Sequence, residues 1–195
     1  DEDSLVRNWP GNLTYLLRFG VHEFALRRPP LGPVAPKAHD VARECRILQT
    51  LNPVFQLAPK PYVLCEDLNV IGAPFYIMER RQGLVVRNEE PPQLSDQPGQ
   101  RERVSAAMVD VLAELHKIDV HRHGLISLGK PEGFVERQVR GWTQRWHGSK
   151  TTEQREMNQL SDWLLNRLPS EPLRPALLHG DYKLDNIMLD DHDLG

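Results

Sequence analysis

One octapeptide constrains this chain more than any other stretch: His179-Gly180-Asp181-Tyr182-Lys183-Leu184-Asp185-Asn186, set between the apolar runs Ala176-Leu177-Leu178 and Ile187-Met188-Leu189. Packing alone does not account for it. It places a carboxylate and a carboxamide five residues apart in a short loop. Phosphoryl transfer uses such a pair, because an Asp receives the proton of the attacking hydroxyl while an Asn holds a Mg²⁺ that bridges the nucleotide phosphates. Lys183, two residues beyond the Asp, supplies a cation for charge on the transferring group. The bland alternative is a polar turn between a helix and a hairpin.

The length of 195 residues suits one generous domain or two small lobes with a real core. A net charge of −3, with Lys and Arg scattered rather than striped, gives no electrostatic case for nucleic acid. Cys45 and Cys65 read as small buried hydrophobes of a reducing compartment rather than a disulfide or zinc framework. The acidic start Asp1-Glu2-Asp3-Ser4 carries no signal-peptide pattern, and no apolar run is long enough to span a bilayer, so the cytoplasm is the expected location. Oligomeric state is not legible.

Leu13–Arg18 and Phe24–Arg28 read as a two-stranded hairpin turning at Gly20. Prolines 29, 30, 33 and 36 interrupt regular structure. Val41, Cys45, Leu48 and Leu51 then recur at helical spacing. Tyr62–Leu64 and Pro74–Met78 read as two more strands joined by a turn through Asp67, Asn69 and Gly72. Four strands and one helix thus make a small lobe. Residues 87–100, rich in proline and acids, read as an exposed connection. Val104, Met108, Val111, Leu112, Leu115 and Ile118 share one helical face. A helix is expected over Glu132–His147 with Trp142 and Trp146, and another along Met157, Leu160, Leu164 and Leu168. Thr151 and Gln154 offer the last one a capping box. The four tryptophans read as core or packing residues. His116, His121 and His123 lack the acidic or thiol companions of a zinc site, so they read as ordinary histidines.

The octapeptide resembles the HGDxxxxN catalytic loop of the aminoglycoside phosphotransferase and choline kinase group, the small-molecule relatives of protein kinases. The wording is most similar to kinase-like domains associated with acyl-CoA dehydrogenases. PGNLTYLLRFG, FALRRPP, VIGAPFYIMERRQG and LAELHKID follow in the order that fold requires. The resemblance implies an α+β, bilobal protein-kinase-like fold, with a small antiparallel-sheet N-lobe over residues 1–83 and a mostly helical, C-terminally incomplete C-lobe over residues 84–195. It implies ATP, or GTP, and Mg²⁺ as cofactors and a small-molecule hydroxyl as acceptor, a hydroxyacyl compound being favoured over an aminoglycoside.

Residue by residue, the resemblance makes Asp181 the general base or substrate-orienting group, Lys183 a charge stabiliser, Asn186 the Mg²⁺ ligand and His179 a support for the loop. Gly11 and Asn12 stand at the turn that covers the phosphates. Strand alternation puts Ala25 and Arg27 on one face. The resemblance gives Ala25 to the adenine and Arg27 to the phosphates. Glu44, beside the core position Cys45, is expected to pair with Arg27, close to it and largely shielded from water. Met78 is expected at the back of the adenine pocket, with Glu79 and Arg81 supplying main-chain contacts. Three features depart from the family pattern: the turn is poor in glycine, Arg27 stands where many kinases carry Lys, and no second metal-binding acid is recognised. Asp190, Asp191, His192 and Asp193 read as a hairpin tip, so that acid is expected downstream of Gly195, and the 195-residue piece is expected to have little activity. The same departures support an alternative, a pseudokinase or nucleotide-binding scaffold.

Overall fold

The computed structural model of the protein describes residues 5–7, 12–30 and 40–190. These fall into two compact units, one built from the chain up to Ile118 and from Leu177 onward, the other from Asp119 to Ala176. The lobe boundary expected at residue 83 lies inside the first unit. No helix among the described residues is long and apolar enough to cross a membrane.

The first unit is organised on a five-stranded antiparallel sheet, one strand more than the sequence suggested. Its strands are β1 (Leu5–Arg7), β2 (Leu13–Phe19), β3 (His22–Arg28), β4 (Pro61–Cys65) and β5 (Phe75–Glu79), in the order β1-β2-β3-β5-β4. Phe19 pairs with His22 across a two-residue turn in which Gly20 takes φ +60°. A hairpin that tight needs a left-handed residue, and glycine adopts it without a Cβ clash.

Helix α1 (Val41–Leu51) starts where the side chain of Asp40 accepts the N–H of Arg43 at 2.8 Å, which satisfies one of the donors a helix start leaves unpaired. Its apolar stripe, Val41 and Cys45 with Leu48, packs against Tyr76, Leu64 and Met78. Burial of each such aliphatic side chain contributes about 1.5–3 kcal/mol. The turn expected between β4 and β5 contains a single-turn helix, α2 (Leu68–Ile71), capped by Asp67 and closed by Gly72 at φ +77°.

Past β5 the chain runs through Gly83 to Leu84, which forms an antiparallel bridge with Leu189, each N–H donating to the other's carbonyl at 2.8 Å. Helix α3 (Pro92–Ser95) interrupts the expected exposed connection, and helix α4 (Gln100–Lys117) follows. That connection is mostly exposed, as expected, but is anchored at Leu94 and Gln100. Leu94 joins Val86 and Val104 in a second core cluster, covered by Leu84, Met108, Leu184 and Leu189, and Gln100 is 1% exposed. A lone leucine among prolines and acids gives no periodic signal, so its burial is a tertiary event.

The second unit holds a 3₁₀ turn (Leu125–Leu128) and helices α5 (Phe134–Ser149) and α6 (Arg155–Leu165), tied by a 3.1 Å hydrogen bond from Thr143 Oγ1 to Ser161 Oγ. Two expectations fail here. Gln154, not Thr151, is the N-cap of α6 and makes no side-chain capping bond. Trp142 and Trp163 are 64% and 51% exposed, their rings lying against Arg145 and Arg167 instead of a core. Two helices alone cannot enclose residues this large, so their outer apolar positions stay at the surface.

At Gly83, φ is +145° and an added Cβ would stand 2.2 Å from the carbonyl oxygen of Leu189. Gly83→Ala therefore breaks the Leu84–Leu189 bridge, with an expected loss of about 1–3 kcal/mol, read as a lowered urea midpoint.

Candidate functional site

The register of the sheet decides which side chains share a face. Arg27 lies opposite Thr14 on one side and Tyr76 on the other, and Ala25 lies opposite Leu16 and Met78. Directly opposed residues of antiparallel strands point the same way, so Thr14, Ala25, Arg27, Tyr76 and Met78 occupy one face. Tyr76 and Met78 pack on α1, which places α1 on that face.

Glu44, in the first turn of α1, is the meeting point. Its Oε2 accepts Nε of Arg27 at 2.8 Å and the hydroxyl of Tyr76 at 3.2 Å, and its Oε1 accepts Nδ2 of Asn12 at 2.7 Å. Nη1 of Arg27 also reaches Thr14 Oγ1 at 3.5 Å. The two charged side chains are 34% and 36% exposed, less shielded than expected. Solvent therefore screens the pair, and its free-energy contribution is that of a surface ion pair, about 0–1 kcal/mol. Orientation is its main effect. Tyr76 is 2% exposed. Burial first, then the neighbouring Glu44 carboxylate, push its hydroxyl pKa well above the ordinary value of 10.0, so it stays a donor to Glu44.

The octapeptide forms the second cluster. Gly180 takes φ +84°, and Leu184–Asn186 make a 3₁₀ turn. That turn brings Nδ2 of Asn186 back to Asp181, donating to the Oδ2 at 2.7 Å and to the backbone carbonyl at 2.9 Å. Lys183 Nζ stands 3.4 Å from the same Oδ2. Nδ1 of His179 accepts the N–H of Asp181 at 3.4 Å, and the ring meets Tyr182 edge to face at 5.3 Å. The loop is pinned from below. Tyr182 donates its hydroxyl to the carbonyl of Met108 on α4 at 2.9 Å, its pKa raised by burial, while Leu184 packs in the second core cluster. Asp181 remains 66% exposed and Lys183 47%.

Asp181 and Asn186 contribute hard oxygen donors, the type Mg²⁺ prefers. With both amide hydrogens directed at Asp181, the Oδ1 of Asn186 is the oxygen suited to a cation. No group of three His, Cys, Asp or Glu side chains placed to hold a metal is found among the described residues.

The remaining candidates are placed as follows. Asn12 is 5% exposed with its amide on Glu44, so its side chain faces the α1 carboxylate. Gly11 and Asp191–Asp193 lie outside the described residues. Glu79 and Arg81 send their side chains to the loop after α1: Glu79 Oε2 accepts the N–H of Lys60 at 3.1 Å, and Arg81 donates to the carbonyls of Gln56 and Ala58. A groove of about 800 Å³ opens beside them, lined by Phe55, Lys60, Tyr62, Glu79, Arg81 and Glu114. None of Ala25, Arg27, Asp181 or Asn186 lines it, and we assign it no nucleotide. Sequence reasoning missed Tyr76, Thr14 and Tyr182. Alternation along β5 already sets Tyr76 on the face of Met78, so its sharing of Glu44 was within reach. The reach of Tyr182 to α4 was not.

A phosphotransferase enzyme family model matches residues 11–195. The chain belongs to that family. It is 37% identical to acyl-CoA dehydrogenase family member 11 of Rattus norvegicus over 93% of its own length, and 36% identical to acyl-CoA dehydrogenase family member 10 of Mus musculus over 91%. It spans 23% and 16% of those relatives' own lengths. Among solved structures, a "putative aminoglycoside phosphotransferase" of Ralstonia eutropha superposes with a TM-score of 0.76 at 30% identity, covering 97% of this chain and 58% of that one. The phosphotransferase family's kinase-like fold, a small antiparallel sheet accompanied by helices, is therefore the fold of this chain.

Because Tyr76 holds its proton more tightly in the folded state than a free phenol, its contribution to stability is complete below about pH 10 and is lost as pH rises toward its folded value. In urea titrations from pH 8 to 11, wild type should lose more stability across the alkaline limb than Tyr76→Phe.

Proposed function

We propose that the full-length protein transfers the γ-phosphate of ATP, or GTP, to a hydroxyl of a small molecule. The single observation that carries this reading is the contact between Asn186 Nδ2 and Asp181 Oδ2 at 2.7 Å, in a loop that also sets Lys183 3.4 Å from that carboxylate. In this reading Asp181 orients the acceptor hydroxyl and takes its proton, Lys183 offsets charge on the transferring group, and Asn186 is the Mg²⁺ ligand. Bound Mg²⁺ would neutralise charge on the phosphates. Arg27, held by Glu44, neutralises phosphate on the sheet side. Ala25 and Met78 flank the adenine from neighbouring strands, with backbone groups of Glu79 and Arg81 reading its edge. Residues 1–83 then act as the nucleotide-binding lobe and residues 84–195 carry the catalytic loop.

Relatives named for acyl-CoA dehydrogenases support a hydroxylated acyl compound as acceptor. Two cysteines in 195 residues, with no disulfide framework in their spacing, support a reducing, cytoplasmic setting. A second reading, a nucleotide-binding scaffold without transfer, is favoured by Asn12, whose amide is spent on Glu44 at a position where the family covers the phosphates.

Asp181→Asn keeps the shape and removes the base. It should lower kcat by roughly 10²–10⁴-fold, with little change in nucleotide affinity. Asn186→Ala should weaken nucleotide binding only when Mg²⁺ is present. Calorimetry with and without the metal, beside a transfer assay on hydroxyacyl acceptors, separates the two readings: nucleotide affinity indifferent to Mg²⁺ and to Asn186 would rule out the transferase.

A further inference from the structure

Apolar burial holds α1 on the sheet but does not by itself set where along the sheet the helix stops, because hydrophobic attraction has no direction. Hydrogen bonds do. The carbonyl of Ala58, a buried residue, accepts two side-chain donors that arrive from different elements: Nδ2 of Asn52 at 2.8 Å and Nη2 of Arg81 at 3.3 Å. Asn52 is the C-cap of α1, its backbone N–H donating to Leu48 at 2.9 Å. Arg81 stands two residues past the end of β5.

The guanidinium is itself held in place. It donates to the carbonyl of Gln56 and pairs with Glu79 Oε2 at 3.1 Å. That carboxylate accepts the N–H of Lys60 at 3.1 Å, and the N–H of Glu79 donates to the Lys60 carbonyl at 2.8 Å. The segment leaving β5 is thus stitched to the loop after α1, and that loop to the last turn of α1.

We propose that Asn52 and Arg81 are positioning residues that set the register of α1 through the shared carbonyl of Ala58, and so fix where Glu44 presents Arg27 to nucleotide. Its functional consequence rests on the phosphotransferase reading. A helix transmits displacement along its axis. Glu44 lies about 12 Å along the helix from Asn52 at the standard rise, so releasing the C-terminal end moves the carboxylate that holds Arg27.

The test is made in the full-length protein with Arg81→Ala, Arg81→Lys, Asn52→Ala and the double alanine variant. Hydrogen exchange of the α1 amides is followed with α5 as internal control, and KM values are measured for nucleotide and for acceptor. Arg81→Ala should speed α1 exchange and raise the nucleotide KM about five- to tenfold, the scale of one hydrogen bond to a buried group, with α5 exchange and the acceptor KM unchanged. Arg81→Lys, which keeps one donor, should recover most of both. The two alanine effects should be non-additive, because the donors share one acceptor. Unchanged α1 exchange in Arg81→Ala, or equal acceleration in α1 and α5, would overturn the proposal. Should wild type fail to bind nucleotide, the phosphotransferase reading falls while the exchange measurement still decides whether Arg81 sets the helix.

Discussion

Three donors from three strands or strand ends converge on one carboxylate, that of Glu44. Asn12 reaches it from the start of β2, Arg27 from β3 and Tyr76 from β5. With a third of its side-chain surface exposed, this carboxylate adds little stability through charge alone, since water screens the pair. What it provides is direction. Charge-assisted hydrogen bonds have short, well-defined geometry, and an arginine fork held through Nε turns its remaining nitrogens one way. Without Glu44 the Arg27 side chain would sample several rotamers above the sheet, and the face carrying Ala25 and Met78 would have no oriented cation.

The HGDYKLDN loop depends on a different kind of constraint. Its chemistry-bearing side chains lie at the surface, yet the residues between them are tied down. Tyr182 is bonded to the α4 backbone, Leu184 is packed into the second core cluster, and Leu189 is bridged to Leu84. Polar and anchoring residues alternate along the segment. Asp181, Lys183 and Asn186 are therefore presented by an anchored segment rather than by a free loop.

Much of this was legible in order and spacing. The β2–β3 hairpin follows from two apolar runs around Gly20, α1 from a stripe at positions 41, 45, 48 and 51, and the Arg27–Glu44 pairing is expected from the resemblance to the kinase family. Local signals failed where the deciding partner is remote. Leu94 is buried because Val86 and Val104 close over it. Thr151 satisfies a capping pattern that the backbone does not use, since α6 begins at Arg155. Asn12 is expected to stand at the phosphates, but its amide goes to a carboxylate 32 residues away.

The amino-acid sequence by itself pointed to the family, because the HGDYKLDN loop sets a carboxylate, an ammonium and a carboxamide at the intervals of the family's motif. It also determined the longer elements β2, β3, α1 and α4, through periodicities that are properties of neighbours in the chain. Only the tertiary structure decided which donors share Glu44, that Arg81 faces the loop after α1, and that Tyr182 pins the HGDYKLDN loop to α4. The reason is physical: strand and helix periods say which way a side chain points, whereas the acceptor it meets belongs to a segment tens of residues distant, and only packing brings the two within hydrogen-bond range.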